Sequence, residues 1–263
     1  MHIAVLIKQV PDTDNVKLDP ETGTMIREGS GTIINPLDLN ALEAAVKIKS
    51  RIEEECLITT ISMGPPSAEY ALRESLALGA DEAFLLTDRK FAGADSWATS
   101  KVISEGLKKA GNFDLILAGE KATDGETGQV GPEVAAMLNI PCSTYISGIE
   151  IEQKSVVVTR SLEDGYERQR IKFPCLLTVL SALNNPSMPT LKGKKMSRRA
   201  EITKLTAEDI DIRPEELGLK GSPTRVVKVS TPKKTRNTKM YKGSKITEGI
   251  KELFDEIKGE QII

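Results

Sequence analysis

Histidine is almost missing from this 263-residue chain, the single copy being His2. One imidazole next to the first residue leaves no material for a His-based triad or a multi-His zinc site. Cysteine is scarce as well. Cys56, Cys142 and Cys175 are widely spaced, odd in number and form no CxxC, which excludes a disulfide scaffold and fits reduced thiols in a cytoplasmic protein. Aromatics make up 4% of the chain, and 36 Lys+Arg against 38 Asp+Glu leave a net charge of −2. No apolar run approaches a membrane span, and the chain enters a strand-like segment at once with no signal-peptide pattern. The expected compartment is therefore the cytoplasm. What is present, 39% hydrophobic and 28% charged residues, suits one large globular domain or one with an appendage.

Short β-branched runs alternate with helical periodicity through the first 140 residues. Strands are expected at residues 3–7, 57–62, 83–86 and 113–118. The first of these leads into the turn Pro11-Asp12-Thr13-Asp14, and then a polar stretch carries Gly23, Gly29 and Gly31. Helices are expected after Asp38, after Ser67, from Asp95 or Ser96, and over 129–138, with Gly79, Gly111 and Asn139 at their ends. Four strand–helix alternations argue a parallel, doubly wound sheet. The pattern then becomes strands alone, at 147–152, 155–161, 167–173 and 175–179, with hairpin turns at Gln153-Lys154 and Asp164-Gly165. That reads as an antiparallel extension of the same sheet. Residues 184–199 read as a loop, Thr206 as the cap of a helix over 207–210, and Pro214 as another short helix start. Arg225 through Lys245 holds eight Lys/Arg and no acid. A final amphipathic helix opens at Ser244 or Thr247. A long arm ending in a helix is hard to satisfy within one compact domain, so a partner chain is expected to cover it.

Open parallel sheets bind ligands beyond the carboxyl ends of their strands. The segments to inspect are therefore Lys8-Gln9-Val10-Pro11, Met63-Gly64-Pro65, residues 94–99 and residues 119–132. The last has glycines and threonines where a strand turns into a helix, and small side chains let phosphate oxygens reach helix N-terminal N–H groups. The segment is neither GxGxxG nor a GxxxxGK[ST] loop. It equally suits an ordinary polar turn with a helix cap, and spacing alone does not choose. Asn35-Pro36-Leu37-Asp38 offers a polar pair near the same edge, with Asp38 as helix N-cap the simpler expectation. Trp97 reads as a core or interface anchor. Asp124 and Glu126, with no other titratable group beside them, do not make a hydrolase. Lys192, Lys194, Lys195, Arg198 and Arg199 crowd eight positions beside Met188, Pro189 and Leu191. An apolar tip ringed by cations suggests a docking contact for an acidic protein surface more than a nucleic-acid site.

The motifs Ile7-Lys8-Gln9-Val10-Pro11-Asp12-Thr13, Ile34-Asn35-Pro36, Met63-Gly64-Pro65, ALGAD at 77–81, ATDGETGQVGPE at 122–133 and Pro189-Thr190-Leu191 stand in this order and spacing. Nearly end to end, the chain resembles the β subunit of electron transfer flavoproteins. The resemblance implies an α/β, doubly wound and mostly parallel sheet of Rossmann-like nucleotide-binding type, with an antiparallel extension and an extended C-terminal arm. It implies three parts: a nucleotide-binding domain over 1–182, a partner-recognition loop over 183–200, and an arm over 201–263 that packs on the α subunit. One branch of the family holds AMP in the β subunit. Another, typical of anaerobes, holds FAD there and splits the electron pair of NADH. The present chain resembles the second, because Gly125 replaces an acidic residue and because of FAGADSWATS at 91–100 and GLKGSPT at 218–224. Gly128 departs from the alanine frequent there.

By that resemblance the nucleotide contacts fall on Leu6, Asn35, Pro36, Leu37, Asp38, Met63, Ser96 and Thr99. They continue through Ala122, Thr123, Asp124, Gly125, Glu126, Thr127, Gly128, Gln129, Val130, Gly131, Pro132 and Glu133, and reach Ser222, Pro223 and Thr224. Leu191 is the implied anchor for a partner dehydrogenase, with Lys192, Lys194 and Lys195 steering the encounter. No bond-making catalytic residue and no metal is implied. The implied cofactor is FAD with NAD(H) as electron donor or acceptor. The implied partners are the α subunit, an acyl-CoA or 2-hydroxy-acid dehydrogenase, and ferredoxin or flavodoxin. Two other readings stand beside it: a conventional carrier subunit with structural AMP, and a free-standing ATP-binding α/β protein.

Overall fold

The computed structural model describes residues 1–12, 17–18, 25–26, 31–225, 227 and 238–259. Thr13, Gly23, Gly29 and most of the basic stretch (226 and 228–237) lie outside the described residues. The chain divides into two compact units, Met1–Val227 and Lys228–Ile263.

The first unit opens with β1 (His2–Leu6), whose interior is buried on both faces. Ile3 and Val5 point into one apolar cluster and Ala4 and Leu6 into the other, the alternation a strand imposes. β2 (Gln9–Pro11) pairs antiparallel with β5 (Thr32–Ile34), and β3 (Lys17–Leu18) with β4 (Met25–Ile26). Then follow α1 (Pro36–Lys49), β6 (Leu57–Met63), α2 (Glu69–Leu78), β7 (Glu82–Leu86), α3 (Ser96–Ala110), β8 (Leu115–Gly119) and α4 (Val130–Leu138). β9 (Cys142–Ile151), β10 (Ser155–Leu162), β11 (Gly165–Lys172) and β12 (Cys175–Val179) come next, followed by α5 (Leu191–Ser197), β13 (Thr203–Leu205) and α6 (Gly218–Gly221).

Nine strands form one sheet in the order β11-β10-β9-β12-β8-β1-β6-β7-β13. Only β9–β10 and β10–β11 are antiparallel. The expected doubly wound, mostly parallel sheet is present, and α1 and α2 cover one face while α3 and α4 cover the other. β12 differs from expectation. Instead of extending the antiparallel strands, it runs parallel between β8 and β9. All five of its residues are buried, as befits a strand covered on both faces, whereas β11 alternates between exposed and half-buried. The second hairpin turn also sits one residue earlier than expected, at Glu163-Asp164, since Leu162 pairs with Gly165. β9 begins before residue 147, and a register irregularity around Tyr145, at φ 59°, lets it change course.

After residue 180 two expectations are corrected and one strand is added. Residues 191–197 are helical, because Thr190 Oγ1 accepts the N–H of Gly193 at 3.0 Å and caps the turn. β13 adds an edge strand on β7. At Thr206 there is a turn and not a helix, since its N–H and hydroxyl both donate to Asp209 Oδ2 at 2.8 Å. Pro214–Glu216 forms a single 3-10 turn, as expected of a helix start there. The second unit, taken by itself, carries α7 (Ile246–Gly259) after a 3-10 turn at Gly243–Lys245. Glu252 accepts from Lys239 and from the Tyr241 hydroxyl, while Ile246, Ile250, Leu253 and Phe254 are exposed. Among the described residues no helix is long and apolar enough to cross a membrane.

α5 lies against α2 because Gly193 has no side chain: a Cβ there would stand 2.3 Å from the carbonyl oxygen of Ala77. Gly193→Ala should therefore lift α5 off α2. Overpacking of this kind costs about 1–3 kcal/mol. Thermal denaturation should show a melting point lower by several degrees, and an unchanged value would disprove the packing.

Candidate functional site

β1 stands between β6 and β8, and the chain fills one side of it before returning to the other. This is the switch point at which open sheets leave a crevice. A cavity of about 360 Å³ opens there. Its walls come from the ends of β1 (Leu6, Ile7, Lys8) and β6 (Met63), the approach to α3 (Phe91, Gly93, Asp95, Ser96, Thr99), and the loop from β8 to α4 (Gly119–Ala122 region and residues 125–131).

The first turn of α1 joins these walls. Asp38 is inside the helix and not its N-cap; Asn35 occupies that position without a side-chain capping bond. Asp38 is 6% exposed, and its Oδ2 accepts the N–H of Lys8 at 2.8 Å while its Oδ1 accepts that of Gly119 at 3.1 Å. Asn35 Nδ2 donates to the Lys121 carbonyl at 3.0 Å, and its Oδ1 accepts the N–H of Thr123 at 3.2 Å. Burial pushes the Asp38 carboxyl up to about 7, against the hydrogen bonds from Asn35, Lys8 and Gly119 and the Lys8 charge, which favour ionisation. Gly119 is required here, for a Cβ would stand 2.5 Å from Asp38 Oδ1 and 2.8 Å from the Leu37 backbone carbon.

Two ion pairs hold the glycine-rich loop: Lys8 Nζ to Asp124 at 2.6 Å and Lys121 Nζ to Glu126 at 3.7 Å. Gly128 adopts φ 63°. α4 then begins against the cavity, with Val130 and Gly131 in its wall. Gly131 also lets α4 settle on β12, since a Cβ there would stand 2.5 Å from Thr178 Cγ2. A helix start of this kind favours an anion, its first N–H groups having no partner within the helix.

Across the cavity, Asp95 caps α3 by accepting from Ala98 at 3.0 Å. Its other oxygen accepts from the N–H and hydroxyl of Thr224 at 2.9 and 2.8 Å, and its own N–H donates to Ser222 Oγ. Burial opposes its charge, but these hydrogen bonds outweigh it and hold the carboxyl below its ordinary range. Ser96 donates to Gln129 at 2.9 Å, and Ser100 donates to Glu133 at 2.8 Å, which ties α3 to α4.

Of the residues singled out in the sequence, Leu6, Asn35, Asp38, Met63, Ser96, Thr99, Ala122 and Gly125 through Gly131 come together around the cavity. Pro36, Leu37, Thr123, Asp124, Pro132, Glu133, Ser222, Pro223 and Thr224 do not line it. Several support it, Asp124, Thr123, Glu133, Ser222 and Thr224 through the bonds just described. Leu191, Lys192, Lys194 and Lys195 lie on α5, elsewhere in the fold. Trp97 is half-exposed outside the cavity, with Lys101 over its ring at 5.6 Å. Lys8, Asp95, Gly119, Glu120 and Lys121 also line the cavity; they lie in the segments between strand ends and helix starts that the sequence singles out for inspection. Phe91 and Gly93 also line it, and their signal is the FAGADSWATS resemblance at 91–100.

The size fits a small-ligand site. The glycine-rich loop, the α4 start and the two lysines fit the phosphate portion of a nucleotide. A match to the electron transfer flavoprotein domain covers residues 22–210. The chain belongs to the electron transfer flavoprotein family. It is 48% identical to an electron transfer flavoprotein subunit beta of Thermoanaerobacterium thermosaccharolyticum, with 100% of both chains covered. It is 46% identical, again over the whole of both, to the caffeyl-CoA reductase-Etf complex subunit CarD of Acetobacterium woodii. The electron transfer subunit gamma of acryloyl-CoA reductase from Anaerotignum propionicum is 40% identical over 100% of each chain. The β-subunit resemblance read from the motifs is borne out.

Asp38 gives this family member a pH signature. Its folded carboxyl holds a proton that the unfolded chain releases above the ordinary value of 3.8. Its contribution to stability is thus complete below that value and is lost as pH rises toward about 7. Measured from pH 4 to 7, wild-type stability should fall against Asp38→Asn by up to about 1.4 kcal/mol per pH unit. Parallel curves would show that Asp38 does not titrate in this window.

Proposed function

We propose that this chain is an electron transfer flavoprotein β subunit that binds FAD in the cavity. With an α subunit it would move electrons between NAD(H), ferredoxin or flavodoxin and a partner dehydrogenase by flavin-based bifurcation or confurcation. The observation that carries the choice of FAD is Gly125. It lines the cavity, and a Cβ there would meet nothing within 4 Å. An acidic side chain would occupy that open space, and glycine leaves it to a ligand. Residues 125–131 and the α4 start would hold the phosphates, with Lys8 and Lys121 nearby to balance charge. Ser96 and Thr99 supply hydroxyls on the α3 side. Bound there, FAD supplies a ring that exchanges electrons in pairs or singly. The chain's own contribution is to bind and orient it, and Asn35 and Asp38 keep the supporting loops in register.

The names of two relatives, subunits of caffeyl-CoA and acryloyl-CoA reductase systems, favour a dehydrogenase of the acyl-CoA type as partner. Residues 183–200 would form the docking segment. Its tip pairs the 89%-exposed Leu191 with a ring of Lys and Arg suited to an acidic rim. α7, with its exposed apolar face, would pack on the α subunit. Structural AMP is the second reading, favoured by a cavity near the lower end of the range for ligand sites. A free-standing ATP-binding protein is the weaker reading, since the apolar face of α7 calls for a cover.

The deciding experiment is to purify the heterodimer, denature it and count the released nucleotides. Two FAD and no AMP are expected, and one of each would overturn the proposal in favour of the carrier with AMP. Gly125→Asp should lower FAD retention while leaving the melting point within experimental error, because the added atoms have room. Leu191→Ala should weaken dehydrogenase docking by at least about tenfold if Leu191 is a buried anchor. Docking by the wild type should also weaken as salt rises.

A further inference from the structure

Two polar side chains of α1 are buried without serving the cavity: Asn40 is 4% and Glu43 is 8% exposed. Burying such groups is costly unless they are bonded. Both are bonded to one distant segment. Asn40 Nδ2 donates to the Asn184 carbonyl at 2.8 Å, and Asn184 Nδ2 returns a bond to the Asn40 carbonyl at 3.0 Å. Glu43 Oε2 accepts the N–H of Ser187 at 3.0 Å, and its Oε1 accepts the Ser187 hydroxyl at 3.2 Å. Lys47 pairs with the same carboxylate at 3.1 Å.

Residues 184–190 have no regular structure, so these bonds are what fixes the stem. At its far end α5 is clamped by Arg73, which donates to the carbonyls of Ser197 at 2.8 Å and Ala200 at 3.2 Å. Between the two clamps stand Met188 and Leu191, 87% and 89% exposed. An exposed apolar tip on an irregular stem would sample many orientations, and a partner would then have to order it on binding.

We infer that Asn40 and Glu43 are positioning residues for docking: they hold the stem through Asn184 and Ser187 so that the Met188–Leu191 tip is pre-ordered for its partner. The inference rests on the docking role proposed above for Leu191. The partner it suits is a dehydrogenase surface with an apolar recess and an acidic rim, the complement of the lysines on α5.

The test uses the intact heterodimer with a purified acyl-CoA dehydrogenase as electron acceptor. Glu43→Ala should raise KM for the dehydrogenase about tenfold, with kcat, nucleotide content and the slope of KM against salt unchanged. Glu43→Gln keeps an acceptor for the Ser187 N–H and a group to bond its hydroxyl, so it should return KM to within about threefold of wild type. Amide exchange should quicken at 187–191 in Glu43→Ala and stay slow in the sheet. A KM unmoved in Glu43→Ala, or moved equally in Glu43→Gln, overturns the inference, as does a fall in kcat or nucleotide content along with KM. Leu191→Ala is the control: if it leaves KM unchanged, the docking reading itself has failed, and the Glu43 result is then judged by amide exchange alone.

Discussion

A single buried carboxyl joins the two halves of the sheet where they diverge. Asp38 takes one N–H from the end of β1 and one from the end of β8, across sequence separations of 30 and 81 residues. Parallel strands that part at a switch point leave their terminal N–H groups turned toward a crevice, and an unbonded one in a dry site costs on the order of 1–3 kcal/mol. Asp38 satisfies two at once, and the missing side chain of Gly119 makes room for it. Because α1 carries Asn35 one turn earlier, the same helix also holds the backbone at Lys121 and Thr123. The glycine-rich loop is thus suspended from α1 before any ligand arrives.

The rest of the cavity follows from that suspension. With the loop fixed at its root, the pairs Lys8–Asp124 and Lys121–Glu126 set its middle, and Ser96 and Ser100 bind its far end through Gln129 and Glu133. Exposed ion pairs contribute little to stability. Their importance here is geometric: they hold cations beside a helix start where an anion is favoured.

Much of this was legible in the sequence, for reasons that differ by element. β1 and β6 were readable because strands buried on both faces must be apolar throughout. The caps at Asp95, Gly79 and Gly111 were readable because their signals are local. β12 has the composition of β1, but strand order is a long-range property, and the hairpin turns before it point to an antiparallel neighbour it does not have. Asp38 suggests a cap because Asp is a favoured N-cap residue type; Pro36 in the first turn puts the cap on Asn35 instead, and the partners of Asp38 are far away in the chain. α5 was hidden by a glycine among lysines, and that glycine is there for its contact with Ala77.

The same long-range character explains why α1 has a split composition. Its apolar residues Ala41, Leu42, Ala45 and Ile48 face the sheet, its first turn faces the cavity, and Asn40 and Glu43 are bonded to Asn184 and Ser187. One helix therefore touches both the cavity wall and the irregular segment that leads to Met188 and Leu191. Helices transmit displacement poorly when they bend and well when packed on a sheet, since interiors are close-packed and resist deformation. A shift of residues 184–187 must either break the bonds at Asn40 and Glu43 or move α1, and moving α1 would pull on the bonds that Asp38 accepts from Lys8 and Gly119. Keeping residues 184–187 in place is the response that leaves both sets of bonds intact.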